Sequence, residues 1–136
     1  MKIKLDECTI MPTRAHETDA GLDLYSRDTV IVYAGKSEIF DTGVHIELPK
    51  DTVGYIKSKS GLCMKNGIIT TGTIDEGYTG SIKVKLFNLG NTHYVVNNGD
   101  KIAQLVIHPI LKPELEVVEA LKETERGANG FGSSGK

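Results

Sequence analysis

The sequence predicts an all-β fold: a single-domain, jelly-roll-like β-sandwich with a flexible C-terminal tail. Three observations carry that expectation. Apolar residues recur at every second position in short stretches, which is the period of a half-buried strand. Turn residues interrupt the chain so often that long helices have no room. The length, 136 residues, suits one domain built on one core.

In chain order, Leu22-Asp23-Leu24-Tyr25 and Thr29 to Tyr33 read as the first strands. Val44, Ile46 and Leu48 face one way while His45 and Glu47 face the other. Thr52 to Lys57 follows, and Ser60 to Lys65 is a short helix candidate. Ile82, Val84 and Leu86 alternate with Lys83 and Lys85, and Lys101 to Ile107 forms a further strand. Ala34-Gly35, Leu48 to Asp51, Leu89-Gly90-Asn91 and Asn97 to Asp100 supply the turns. Leu115 to Lys122 has helix propensity, but Val117-Val118 favours a strand, and a strand is expected there. Many short strands at close spacing suit a sandwich or jelly roll. The expected division is a β domain over 1–125 and a glycine-rich arm over 126–136, with little in the arm to bury.

Composition narrows the function. Net charge is −2 and no basic stripe stands out, so direct nucleic-acid binding is not expected. A small anionic ligand needs only a few donors and stays open. No apolar run is long enough to cross a membrane. The first residues lack the apolar stretch of a signal peptide, which points to the cytoplasm. Cys8 and Cys63 have no metal or redox spacing and are expected to be reduced there.

Five segments carry chemistry. Lys59-Ser60-Gly61 offers a cation, a hydroxyl and a bare backbone. It suits either an anion grip at a helix start or a plain helix cap by Ser60. Gly72 to Gly80 is bounded by glycines and holds Asp75 and Tyr78 three residues apart. A carboxylate there can take a proton from water, or can simply close a turn. Asp23 lies in an alternating strand, where a solvent-facing acid is the ordinary expectation. Gln104 interrupts an apolar run, so its amide needs partners. The tail from Arg126 carries a cation, the ring of Phe131, and the hydroxyls of Ser133 and Ser134. It is either a solvated terminus or a segment that folds over a ligand.

Ala20 to Ser26, Lys57 to Leu62, Gly72 to Gly80, Gly99 to Leu105 and the tail together resemble, in order, the five motifs of the trimeric dUTPase family. The resemblance covers nearly the whole chain. It implies Mg²⁺-dependent hydrolysis of dUTP to dUMP and pyrophosphate by water attack at the α-phosphorus, which keeps uracil out of DNA. It assigns Asp75 to orient the attacking water and Asp23 to reach Mg²⁺ through water. Mg²⁺ keeps several waters and takes much of its coordination from substrate phosphates, so one such carboxylate suffices. Lys59, Ser60, Gly61 and Gln104 would contact the phosphate chain. The backbone of Gly72, Thr73 and Ile74 would hold uracil, and Tyr78 would pack on the deoxyribose, with Lys83 a further contact. Arg126, Ser133 and Ser134 would take the γ-phosphate, while Phe131 and Gly132 close over the base. Each site would combine three chains of a homotrimer.

Three positions depart from the family pattern. Lys59 stands where arginine is usual, keeping the charge without the bidentate fork. Asn129 replaces a glycine and tolerates positive φ. The hairpin is short, with Ile69 or Thr70 where some relatives carry an asparagine near the base. Two other functions share the fold. A dCTP deaminase would need a glutamate where Lys85 stands and an arginine where Met64 stands, and lysine is a poor base at neutral pH. A dUTP-responsive binding protein is the second, though no segment is inserted beyond the basic core.

Overall fold

A computed structural model describes residues 1–130 of the chain. In order, its elements are β1 (Lys2–Leu5), β2 (Gly21–Tyr25), β3 (Val30–Val32), β4 (Ser37–Asp41), β5 (Val44–Glu47) and β6 (Thr52–Lys57). They continue with α1 (Ser60–Asn66), β7 (Ile68–Ile69), β8 (Thr71–Ile74), β9 (Lys83–Asn88), β10 (Tyr94–Val96) and β11 (Lys101–Pro109). Every pairing is antiparallel.

A four-stranded sheet, β2-β11-β6-β8, carries Asp23, Gln104 and the Thr71–Ile74 strand. A three-stranded sheet, β4-β9-β7, and two ribbons, β1-β5 and β10-β3, complete the body. The alternation explains the burial. In β9, Val84 and Leu86 are fully buried while Lys83 and Lys85 are exposed. Leu24, Ile56, Ala103 and Leu105 from the four-stranded sheet join Phe40, Val84, Leu86 and Ile68 in one core. The jelly-roll-like all-β expectation holds. Helix α1 ends one residue beyond the expected Lys65, where Gly67 adopts φ +67 and receives the αL cap. Among the described residues no helix is long and apolar enough to cross a membrane.

One expectation is corrected. Leu115 to Lys122 forms no strand, and Leu115, Val117 and Leu121 are 94%, 99% and 86% exposed. A strand needs an edge to pair with, and β-propensity alone does not supply one. Beyond β11, residues 110–130 contain no helix or strand.

Candidate active site

The four-stranded sheet builds a cradle of polar groups on three adjacent strands. Gln104 on β11 sits opposite Asp23 on β2 and opposite Lys57 on β6, so the three share one face. Asp23 is not the solvent-facing acid that its strand suggested: it is 5% exposed. Lys59 contacts one carboxylate oxygen and Lys101 Nζ lies 2.7 Å from the other. Burial alone would push the Asp23 carboxyl up. The hydrogen bonds from Lys101 and Lys59, with their charges, outweigh it and hold the carboxyl below its ordinary 3.8. Lys101 in turn is raised, first by its hydrogen bond to Asp23.

Gln104 is half-buried and donates from Nε2 to the Ser58 carbonyl at 3.3 Å. Its Oε1 lies over Gly21, where a Cβ would approach to 2.3 Å. A side chain at position 21 would therefore displace the Gln104 amide from this position. The hydroxyl of Ser58 donates to the Thr70 carbonyl at 2.9 Å and accepts the Thr70 N–H at 2.8 Å, fixing the end of β6. The helix start settles one alternative. The N-cap is Lys59, in extended conformation and without a side-chain cap hydrogen bond, and Ser60 is the first helical residue. Ser60 thus does not cap the helix. A Cβ on Gly61 would meet nothing within 4 Å, so local packing does not demand glycine there.

The second cluster lies on the expected hairpin segment after β8. That expectation is corrected in one respect: the segment crosses from β8 in the four-stranded sheet to β9 in the three-stranded one, and the two strands do not pair. Thr73, Ile74, Asp75, Tyr78 and Lys83 line a pocket of about 200 Å³. The Tyr78 N–H donates to the Asp75 carbonyl at 2.9 Å, closing the turn. The Tyr78 hydroxyl donates to the Ser81 carbonyl at 2.9 Å, and its ring lies over Gly80, where a Cβ would come within 2.5 Å of the phenolic oxygen. The ring is held in place by contacts of its own loop. Gly72 faces Ile56 so closely that a Cβ would stand 3.3 Å from Cγ1. Asp75 is exposed on the rim.

The two clusters are at opposite ends of one ladder. On β6 and β8, Lys57 pairs Thr71 while Gly54 pairs Ile74. Asp75 therefore lies level with the start of β6 and Lys59 beyond its end, roughly 13 Å or more apart at about 3.3 Å per residue. Of the tail residues singled out in the sequence, Arg126 is exposed and donates from Nε to the Asn129 carbonyl at 3.1 Å. Phe131, Gly132, Ser133 and Ser134 lie outside the described residues. Lys101 was not singled out. It belongs to the fourth segment, but only the β2–β11 pairing, with its bulge between Lys101 and Ala103, brings it to Asp23.

The donor set can be tested for a divalent ion. Among the described residues no three His, Cys, Asp or Glu side chains cluster. Asp23 is a single carboxylate already neutralised by two lysines. That set does not form a protein cage, but it fits an ion held chiefly by substrate phosphates and water.

Comparisons with known proteins agree with the motifs. Residues 7–135 match the family model described as dUTPase. The chain is 47% identical over 140 residues to the deoxyuridine 5'-triphosphate nucleotidohydrolase of Clostridium tetani, covering 100% of this chain and 97% of the relative. The protein of the same name from Clostridium novyi is 48% identical over 135 residues, covering 97% and 95%. A mutant dUTPase of Staphylococcus bacteriophage 80alpha solved with dUpNHpp superposes with a TM-score of 0.93 at 33% identity, covering 99% of this chain and 98% of that one. A mutant dUTPase of phage phi11, described with a structural Mg(II) ion, gives 0.82 at 33% identity over 88% and 96%.

Proposed function

The chain belongs to the dUTPase family, and from that premise we propose how it works as a dUTP diphosphatase. It hydrolyses dUTP to dUMP and pyrophosphate by attack of water on the α-phosphorus. Asp75 accepts a proton from that water as it attacks. The backbone of Gly72, Thr73 and Ile74 holds uracil, and the fixed ring of Tyr78 packs against the deoxyribose and leaves no room for a 2′-hydroxyl. Lys83 borders the same pocket. Lys59, Ser60, Gly61 and Gln104 grip the phosphate chain, with Lys101 left to balance Asp23 when Lys59 turns to the ligand.

Mg²⁺ is the proposed cofactor, held on the protein side by Asp23 through water; when bound, it would offset charge on the phosphate oxygens. The arm, residues 126–136, closes over the nucleotide, with Arg126, Ser133 and Ser134 on the γ-phosphate and Phe131 and Gly132 over the base. The cytoplasm is the proposed location, in keeping with two free thiols, Cys8 and Cys63.

The observation that carries this reading is the pairing of a nucleoside-sized pocket with a cationic cradle at opposite ends of one ladder. A phosphorus held at Ser60 is out of reach of a water held by Asp75 of the same chain. A homotrimer resolves this: the hairpin of one subunit meets the cradle of another, and cyclic symmetry repeats the site three times. The apolar side chains of Leu111, Leu115, Val117 and Leu121, all more than four-fifths exposed, support a segment that lies on another copy rather than in water.

The test is pyrophosphate release from a nucleotide panel. We expect hydrolysis of dUTP and rejection of UTP, dCTP and dTTP. The hairpin backbone mismatches the cytosine amine, Tyr78 meets the 2′-hydroxyl, and a 5-methyl group meets the hairpin wall. Equal hydrolysis of UTP and dUTP would refute the assignment. A dUTP-responsive binding protein would instead bind dUTP without releasing pyrophosphate.

A further inference from the structure

Three segments meet at the foot of the hairpin through residues that have no role assigned above. The turn before β6 carries Asp51, a non-glycine residue at φ +57. Aspartate is among the residues that enter that region at turns. Here the surroundings are specific. The Asp51 N–H donates to Oε2 of Glu76 at 3.0 Å, and its carbonyl accepts the Ile110 N–H at 2.9 Å. Lys112 closes the joint, with Nζ 3.2 Å from Oδ1 of Asp51 and in contact with the Glu76 carboxylate. Glu76 directly follows Asp75, and Ile110 and Lys112 are the first steps of the chain beyond β11.

The joint matters because this side of the hairpin has few other anchors. Asp75 is exposed, and a Cβ on Gly77 would meet nothing within 4 Å. The Tyr78 contacts fix the returning leg of the loop. On the Asp75 leg, the side chain tied to the body is Glu76, through Lys112 and the Asp51 amide. Both hydrogen bonds, the one from Lys112 first, favour the ionised carboxylate and hold it below its ordinary range.

We propose that Glu76 and Lys112 are positioning residues for Asp75, locking its hairpin to the turn before β6 and to the segment that leaves β11. The Asp75 carboxylate is then held in a fixed relation to the start of β6 and the end of β11. This rests on Asp75 being the group that takes the proton from water. A misplaced base lowers the rate of the chemical step while the nucleotide still binds.

The test is steady-state kinetics with dUTP and Mg²⁺ on the full chain, with Lys112→Met, Glu76→Gln, the two combined, Lys112→Arg, and Asp75→Asn as reference. Lys112→Met and Glu76→Gln should each lower kcat about two- to fivefold, the range an exposed ion-pair network supplies. KM should not move, and the thermal midpoint should fall by no more than a few degrees. The combined variant should lose no more than either alone, and Lys112→Arg should keep the normal rate. The ratio of wild-type to Lys112→Met kcat should shrink toward one in about 1 M NaCl, where exposed pairs are screened. Unchanged kcat in Lys112→Met, an additive double variant, or a loss seen only in KM or thermal midpoint would overturn the proposal. If Asp75→Asn turned over normally, the assignment of the base would fail instead. An inactive Asp75→Asn beside a fully active Lys112→Met would remove this inference and leave that assignment standing.

Discussion

At one end of the β6–β8 ladder, polar groups are sunk into the sheet and hold one another. At the other end they stand on an exposed loop closed by its own backbone and tied to the body at its foot. Asp23 is 5% exposed and shared between Lys59 and Lys101, whereas Asp75 is exposed on a turn closed by the Tyr78 amide. The difference has a physical cause. A buried carboxylate is costly without partners, so the cradle comes with cations in place. In the proposed function those cations exchange partners when the nucleotide phosphates arrive. The hairpin has no such store of charge, and Tyr78 is already fixed over Gly80. In the proposed function the cradle therefore sets how tightly phosphates are held, and the hairpin decides which nucleoside is accepted and when water attacks.

Variants in the two regions should therefore fail in different ways. The largest effect belongs to the hairpin. Asp75→Asn keeps the shape but cannot take a proton, so turnover should fall by about 10² to 10⁴ while nucleotide affinity stays near normal. Isothermal titration with a non-hydrolysable dUTP analogue beside rate measurements checks both halves of that statement. In the cradle, Lys59→Met should leave a folded protein, because Lys101 still pairs Asp23. Affinity for the triphosphate should drop about tenfold or more, as expected for a lost charge-assisted hydrogen bond. Affinity for the free nucleoside should not change. If Lys59→Met slowed turnover with triphosphate affinity intact, the division of labour would be wrong.

The smallest effect concerns how the returning leg of the hairpin is fastened to the body. Asp41 accepts hydrogen bonds from the Ser81 hydroxyl and the Gly43 amide, and the first of these chiefly holds its carboxyl below the ordinary 3.8. A carboxyl lowered on folding stabilises the protein above its unfolded value. That contribution is lost as pH falls through the folded one. The thermal midpoint of the wild type should fall more steeply than that of Asp41→Asn between about pH 5 and 3. Parallel curves would show that Asp41 does not fasten the leg.

The same comparison explains what could be read in the sequence. The strands of the body were legible because burial on one face leaves a period of two, as in Val44 to Glu47 and Lys83 to Asn88. β1 was passed over although Lys2-Ile3-Lys4-Leu5 alternates, because a four-residue edge strand shows its pattern only twice. β4 and β10 were likewise not singled out; Glu38 and Ile39 break the alternation in one, and the other is three residues long. The hairpin residues were legible because they sit together in the chain. The cradle was legible only in pieces. Asp23, Gln104 and Lys59 stood out singly, but their meeting depends on register across three strands, and Lys101 depends on a bulge. The joint of Asp51, Glu76 and Lys112 unites three segments far apart in the chain, so no local pattern announces it. Leu115 to Lys122 misled because propensity speaks for a strand, whereas the segment pairs with no strand among the described residues.

The central claim is that a working site joins the cradle of one chain to the hairpin of another, and subunit complementation tests it most directly. Ser60→Glu places a carboxylate where phosphate would lie, at an exposed first helical position that tolerates an acid. Asp75→Asn disables the hairpin. Each variant alone should be inactive. Unfolded together and refolded as mixed trimers in equal amounts, they should recover about a quarter of wild-type activity, because a quarter of the sites then pair an intact cradle with an intact hairpin. Verified mixed trimers with no recovered activity, or an active monomer by light scattering, would contradict the account.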